Sequence, residues 1–268
     1  MHNNTLRLSV VVIVTLVLTA CGTADKEDRI AVDEPSDATP ESTTPDLATL
    51  LASESRSETD RARDAGRHPL EVIEFLGIES GMSVIDVIAA SGYYTEVLSY
   101  AVGPDGHVSA QNPAVVLEMR EGANEKALSE RLSDNRLENV SRLDREIGEL
   151  SPADGPFDAA LTALNLHDVY NNYGDEGAIG ALKTISATLK PGAVFGLIDH
   201  HGATGNDNEQ LHRINVDDAI RVAEAAGFVV EAESGLLHVH DDDLTESVFA
   251  EGRRGNTHRF LLRLRKPE

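Results

Sequence analysis

Ser83-Val-Ile-Asp-Val-Ile-Ala-Ala-Ser-Gly-Tyr-Tyr-Thr-Glu96 is the stretch that decides the fold. Its first half, Ser83 to Ala89, is a run of small and branched residues suited to a buried strand. Its second half breaks into Ala90, Ser91 and Gly92 before a helix that starts at Tyr93. A strand, a tight turn and a helix N-terminus let backbone N–H groups close on a ligand, which is how α/β folds cradle nucleotides. Glycine-rich versions of such loops space three glycines after the acid; here those places hold Ile88, Ala90 and Gly92. Ala90 costs little unless φ must be positive, whereas Ile88 sets a branched side chain where backbone approaches the ligand. On these residues alone two readings stand side by side: a nucleotide loop oriented by Asp86, and plain strand-to-helix packing.

Upstream, Leu70, Val72, Ile73 and Leu76 share one helical face that ends at Gly77. Downstream the pattern alternates: strand His107 to Gln111, helix Val115 to Leu132, strand Val140 to Leu143, and the long apolar strand Phe157 to Leu166. A helix from about Glu176 to Leu189, a buried strand Ala193 to Ile198 and a helix Val216 to Ala226 follow, and Phe228 to Ser234 with His258 to Arg265 reads as a closing antiparallel pair. Such alternation predicts an α/β fold with a mostly parallel, doubly wound sheet. Ligands of such sheets bind outside the carboxyl ends of the strands.

The motifs Ala90-Ser-Gly-Tyr-Tyr-Thr-Glu96, Gly106-His-Val-Ser-Ala-Gln-Asn112, Asn165-Leu-His-Asp-Val-Tyr170, Leu189-Lys-Pro-Gly192, Asp199-His200, His212-Arg-Ile214, Glu224-Ala-Ala-Gly-Phe228 and Arg254-Gly-Asn-Thr-His-Arg-Phe260 recur in order through residues 60–267. Together they resemble the class I S-adenosylmethionine (SAM) methyltransferase superfamily, in particular a group of bacterial predicted methyltransferases that are often exported. The resemblance implies a Rossmann-like, seven-stranded sheet with an antiparallel C-terminal strand, SAM as cofactor and a small-molecule methyl acceptor. It places Asp86, Ala90, Ser91, Gly92 and Tyr93 at the cofactor loop, Gln111 and Asn112 where an acid usually takes the ribose hydroxyls, and Asn165 beside them; Asp144 is a candidate adenine contact that reads better as a solvated turn acid. An amide in place of that acid still accepts a hydrogen bond but without charge assistance, a loss of about 1 kcal/mol.

Past the fourth strand, His167 reads either as a proton acceptor from the substrate, with Asp168 or Tyr170 positioning it, or as a strand-terminal histidine bonded to backbone. Asp199, His200 and Arg213 are the expected substrate contacts, and Arg254 and Arg259 add positive charge for an acidic group. A competing reading takes His167, Asp168, Asp199, His200 and His201 as ligands of a divalent metal, with His238-Val-His240-Asp-Asp-Asp243 as a second cluster that reads better as a solvated acidic loop. No metal ligand is assigned in the favoured reading. A third reading is a non-catalytic envelope protein that keeps the fold as a binding module.

At the N-terminus Arg7 precedes an apolar run, Leu8 to Leu18, too short for a comfortable membrane span, and then Leu18-Thr-Ala-Cys21-Gly22. The match is to a bacterial lipoprotein signal, implying a signal peptide at 1–20, acylation of Cys21, and a cell-envelope location facing away from the cytoplasm. Residues 21–48, rich in Asp, Glu, Pro, Ser and Thr, read as a disordered tether, leaving 49–268 as the folded domain. Cys21 is the single cysteine, so disulfides and thiolate metal sites are excluded. The net charge of −23 repels nucleic-acid phosphates and anionic lipid, so nucleic acid is not an expected partner and membrane contact is expected through the lipid alone.

Overall fold

The computed structural model describes residues 45–268; the expected signal peptide, Cys21 and most of the tether lie outside these residues. The first helix, α1 (Leu47–Ala52), capped by the Asp46 carboxylate, already takes in Leu47 and Ala48, assigned above to the tether. After it come α2 (Glu58–Arg67) and α3 (Pro69–Leu76), the latter entered through proline at its first turn and closed by Gly77 in the left-handed conformation. Then β1 (Ser83–Val87), α4 (Tyr93–Val102), β2 (His107–Asn112), α5 (Ala114–Arg131), β3 (Val140–Asp144), β4 (Phe157–Ala163), α6 (Leu166–Thr188) and β5 (Leu189–His200) continue the alternation. The chain ends with α7 (Asn208–Leu211), α8 (Val216–Ala225), β6 (Val229–Ser234) and β7 (Arg259–Arg265). Among the described residues no helix is long and apolar enough to cross a membrane.

The seven strands lie in the order β3-β2-β1-β4-β5-β7-β6. Pairing is parallel from β3 through β5 and antiparallel at β5–β7 and β6–β7. The expected Rossmann-like doubly wound sheet is therefore observed, with two antiparallel pairings at its C-terminal side. Strand order reverses between β1 and β4, which opens a crevice beyond their carboxyl ends.

Successive residues of β1 serve opposite faces. Val84 packs with Leu51, Val72, Leu76 and Leu98 of α1, α3 and α4, while Ile85 and Val87 pack with Leu182, Ile185, Val222 and Phe195 on the α6 and α8 side. Burial on both faces is why the central strands read as continuous apolar runs, and why edge strand β6 alternates in exposure instead.

Two helices differ from the continuous segments expected. α5 is broken at Met119–Gly122, where Arg120, Glu121 and Gly122 have positive φ. α6 starts at Leu166, ten residues before the expected Glu176, and bends at Gly174. β4 correspondingly ends at Ala163, because Leu164 turns left-handed (φ 68°) and Asn165 starts the helix. His167 and Asp168 thus sit in the first turn of a helix at the switch point.

Candidate functional site

The turn after β1 has a glycine-like backbone with a glycine at only one of three places. Ile88, Ala90 and Gly92 all have positive φ (55°, 51° and 81°). A left-handed L-residue costs roughly 1–2 kcal/mol, and a β-branched one is an outlier there, so something must hold the turn. The amides at the end of β2 do so. Gln111 accepts from the Ile88 N–H at 2.9 Å and donates to the Arg145 carbonyl at 2.6 Å; Asn112 accepts from the Ala90 N–H at 2.7 Å. The Gln111 carbonyl takes the Ala89 N–H at 2.9 Å, and Asn165 donates to the Ile88 carbonyl at 3.3 Å. Gly92 is required by packing as well as conformation: a Cβ there would meet Leu128 Cδ1 at 2.8 Å.

This overturns the ribose assignment. Gln111 and Asn112 are fully buried, and their polar atoms are spent on the loop. Asp86 is buried too and accepts from the Thr95 hydroxyl at 2.6 Å, tying β1 to α4; burial pushes its carboxyl up to about 7, against the Thr95 hydrogen bond and the nearby Arg67 charge. Tyr93 turns away from the loop to donate to Asp64 at 2.6 Å. Ser91 contributes its carbonyl to Arg131 at 3.0 Å, and Arg131 also ion-pairs with Glu96 and Asp60. Asp144 lies on the outer side, bonded to Arg142 at 2.9 Å, and does not border the cleft.

A cleft of about 900 Å³ opens over this loop, bordered by Ile88, Ala90, Asn165, His167, Asp168 and His200. Pro113, Val116, Met119, Ile147 and Phe249 make an apolar wall. Arg67 borders it as well, its guanidinium 4.5 Å from the Tyr93 ring centroid and 5.6 Å from that of Tyr94. It has no carboxylate in an ion pair among the described residues, and burial, with Arg63 nearby, lowers its pKa.

At the end of β4, His167 is held by a residue of the next strand. Its Nδ1 lies 2.7 Å from Asp199 Oδ1 and its backbone N–H donates to Asp199 Oδ2 at 2.8 Å; Asp199 is completely buried. Nε2 faces Asp168 Oδ1 at 3.3 Å, and the same oxygen lies 3.4 Å from His212 Nδ1. Burial alone would lower the His167 pKa, but Asp199 and Asp168 outweigh it and hold the imidazole up at about 10. Asp168, partly exposed, is kept below the usual carboxylate range by His167 and His212 despite its partial burial. His200 pairs through Nδ1 with the Thr257 hydroxyl at 2.8 Å, and burial pushes it down to about 3.

Several expected contacts are not in the cleft. Tyr170 turns toward α8, where its hydroxyl accepts from Arg221 at 3.1 Å. Arg213 is fully buried in a two-pronged pair with Asp242, 3.0 Å on each prong, and also donates to the carbonyls of His201 and Glu246. It builds the fold and does not reach a substrate; Asp242, in turn, is no part of a solvated loop. Asp199 acts through His167 instead of touching a ligand. Arg259 is buried against the carbonyls of Gly66, Gly255 and Thr257. Arg67 and Phe249 also border the cleft, and His212 lies beside its mouth in an adjoining hollow, although no sequence expectation placed them there; the signal for His212 is its place in the His212-Arg-Ile214 motif.

No protein-family model matches the chain. Over 123 residues, 46% of this chain, it is 30% identical to demethylmenaquinone methyltransferase of Staphylococcus aureus (strain JH9), of which the match takes in 45%. The chain thus spans under half the length of the curated relatives it matches. A SAM-dependent methyltransferase from Aquifex aeolicus superposes with a TM-score of 0.55 at 18% identity, covering 83% of this chain and 100% of that one. An arsenic(III) SAM methyltransferase from Chlamydomonas reinhardtii gives 0.52 at 18% (84% and 74% covered), and a possible exported protein from Bordetella parapertussis gives 0.51 at 12% (77% and 68%). The strand order, the switch-point cleft and these superpositions together give this chain the fold of the SAM-dependent methyltransferases.

Proposed function

We propose that this chain is a SAM-dependent methyltransferase acting on a small-molecule acceptor. The observation that carries the reading is the turn at Ile88, Ala90 and Gly92, which keeps three left-handed positions at the switch point of the sheet although two of its residues pay for them in strain. The cleft suits the cofactor in size. Its apolar wall of Val116, Met119 and Ile147 matches an adenine, and Arg67 offers a charge for the carboxylate of the amino acid end. The ribose hydroxyls find no carboxylate at the end of β2.

When bound, SAM supplies an electrophilic methyl group on a sulfonium. What the chain must add is in-line placement and a dry pocket. His167, fixed by Asp199, and Asp168 stand at the same mouth, so Asp168 is placed to accept a hydrogen bond from an acceptor O–H or N–H. Asp199 and Asp168 hold the His167 ring protonated near neutral pH, so the proton acceptor expected from the sequence is already occupied there.

The missing ribose carboxylate favours a second reading, a binding module that has kept the fold without cofactor affinity. Calorimetry of the full chain in detergent with SAM and S-adenosylhomocysteine separates the two. Saturable heat is the expected result, weakened by Arg67→Ala; no heat at millimolar ligand would leave the binding module. We also propose an acylated Cys21 and an envelope location, supported by Leu18-Thr-Ala-Cys21-Gly22. Cys21→Ser is expected to leave the precursor unprocessed or release it from membranes, and an unchanged lipid-bound product refutes the anchor.

A further inference from the structure

We propose that His167, Asp168 and His212 form a binding site for one divalent first-row transition-metal ion, Zn²⁺ or one of similar size, at the mouth of the cleft. The three donor atoms all lie within 4.8 Å of one another, with Asp168 Oδ1 3.3 Å from His167 Nε2 and 3.4 Å from His212 Nδ1. Metal–ligand bonds of about 2.0–2.1 Å set the edges of a coordination tetrahedron at roughly 3.3 Å. Two of the three edges are therefore already in place. Two imidazole nitrogens with one carboxylate suit Zn²⁺ and its neighbours over Ca²⁺ or Mg²⁺, and leave coordination positions for water or an anionic oxygen.

The surroundings are those of a ligand set. Buried Asp199 takes the Nδ1 side of His167 at 2.7 Å and its backbone N–H at 2.8 Å, which fixes the ring and leaves Nε2 to face Asp168. A carboxylate behind a ligating histidine is the usual outer contact of a metal site. His212 is held in a left-handed conformation (φ 54°) at the end of α7, with the Phe249 ring 4.8 Å from its own by centroids. Strain of this kind persists where surrounding structure enforces it, here the Arg213–Asp242 pair next in sequence. A second hollow of about 400 Å³, lined by Asp168, Asp207, Glu209 and His212, borders the cluster and offers an acidic approach for a cation. The site rests on this geometry alone and does not require the methyltransferase reading.

The test uses the full chain, purified without a histidine tag and stripped with chelator, titrated with Zn²⁺ by calorimetry and with Co²⁺ by visible absorption. The expected result is one equivalent bound, with ligand-field bands from Co²⁺. Asp168→Asn and His212→Asn are expected to weaken Zn²⁺ on the order of 100-fold; asparagine tolerates the left-handed backbone at 212, so the fold is kept. Asp199→Asn, which removes no ligand, is expected to weaken it about 10-fold. Absence of stoichiometric binding overturns the proposal, as does binding that His212→Asn and Asp168→Asn, checked as folded by circular dichroism, leave unchanged.

Discussion

Replacing Gln111 by glutamate sets its two candidate roles against each other. If the side chain reached a ribose, a carboxylate would strengthen the contact at little cost to the fold. In the structure it is completely buried, its oxygen accepting from Ile88 N–H at 2.9 Å and its nitrogen donating to the Arg145 carbonyl at 2.6 Å. Gln111→Glu turns that donor into an oxygen facing an oxygen. Leaving the carbonyl unpaired costs about 1–3 kcal/mol, more when the group facing it is charged. We expect a loss of about 3 kcal/mol at pH 8, which for a domain of this size lowers Tm by about 6–12 °C. Burial raises the pKa of the introduced carboxyl, and in its protonated form it can donate to the Arg145 carbonyl again. The loss is therefore smallest below about pH 4, where the unfolded chain is protonated too, and grows as pH rises through the folded pKa. Thermal unfolding followed by circular dichroism between pH 4 and 8, with SAM calorimetry on the same protein, is the assay. Unchanged Tm at pH 8, or tighter SAM binding at unchanged stability, would refute the clasp.

Asp86→Asn reports on the buried acid of β1, just ahead of the loop. With the folded carboxyl at about 7 and the unfolded one near 4, wild-type stability falls as pH rises between these values, by up to about 4 kcal/mol at about 1.4 kcal/mol per pH unit. The advantage of Asp86→Asn in urea unfolding should be absent below pH 4 and grow to a plateau above pH 7; a difference flat with pH would mean the acid is not buried as described. Gly92→Ala should cost about 2–4 kcal/mol, from the left-handed backbone and the 2.8 Å approach to Leu128, and a chemical denaturation midpoint within error of wild type would exclude that packing. Asp242→Asn breaks a buried pair and should cost about 3–5 kcal/mol; a change under about 0.5 kcal/mol would return Arg213 to the list of free cations.

The fold was legible because strands buried on both faces carry their signature in composition: Ser83–Val87, Phe157–Ala163 and the later part of Leu189–His200 need no partner to be recognised. The breaks in α5 and α6 were not, since Arg120 and Glu121 are ordinary helix residues that take positive φ on an exposed stretch with no glycine or proline directly ahead of them to announce it. At the site, sequence located the strand ends but not the direction of their side chains. Gln111 and Asn112 close β2 as expected, yet point back into the loop, and Tyr170 lies one helical turn from the first α6 residues but on the α8 face. His212 joins His167 and Asp168 across the chain from a four-residue helix. No local pattern announces such a meeting.

The amide clasp has a consequence for dynamics. Loop N–H groups ordinarily exchange with solvent through small local openings, whereas those of Ile88 and Ala90 are closed by side chains that are themselves buried at the end of β2. Freeing either proton requires one of these buried side chains to let go. In native-state hydrogen exchange these two positions should therefore be slower than the N–H groups of a solvated turn, making the turn after β1 better protected than its place outside the strands suggests.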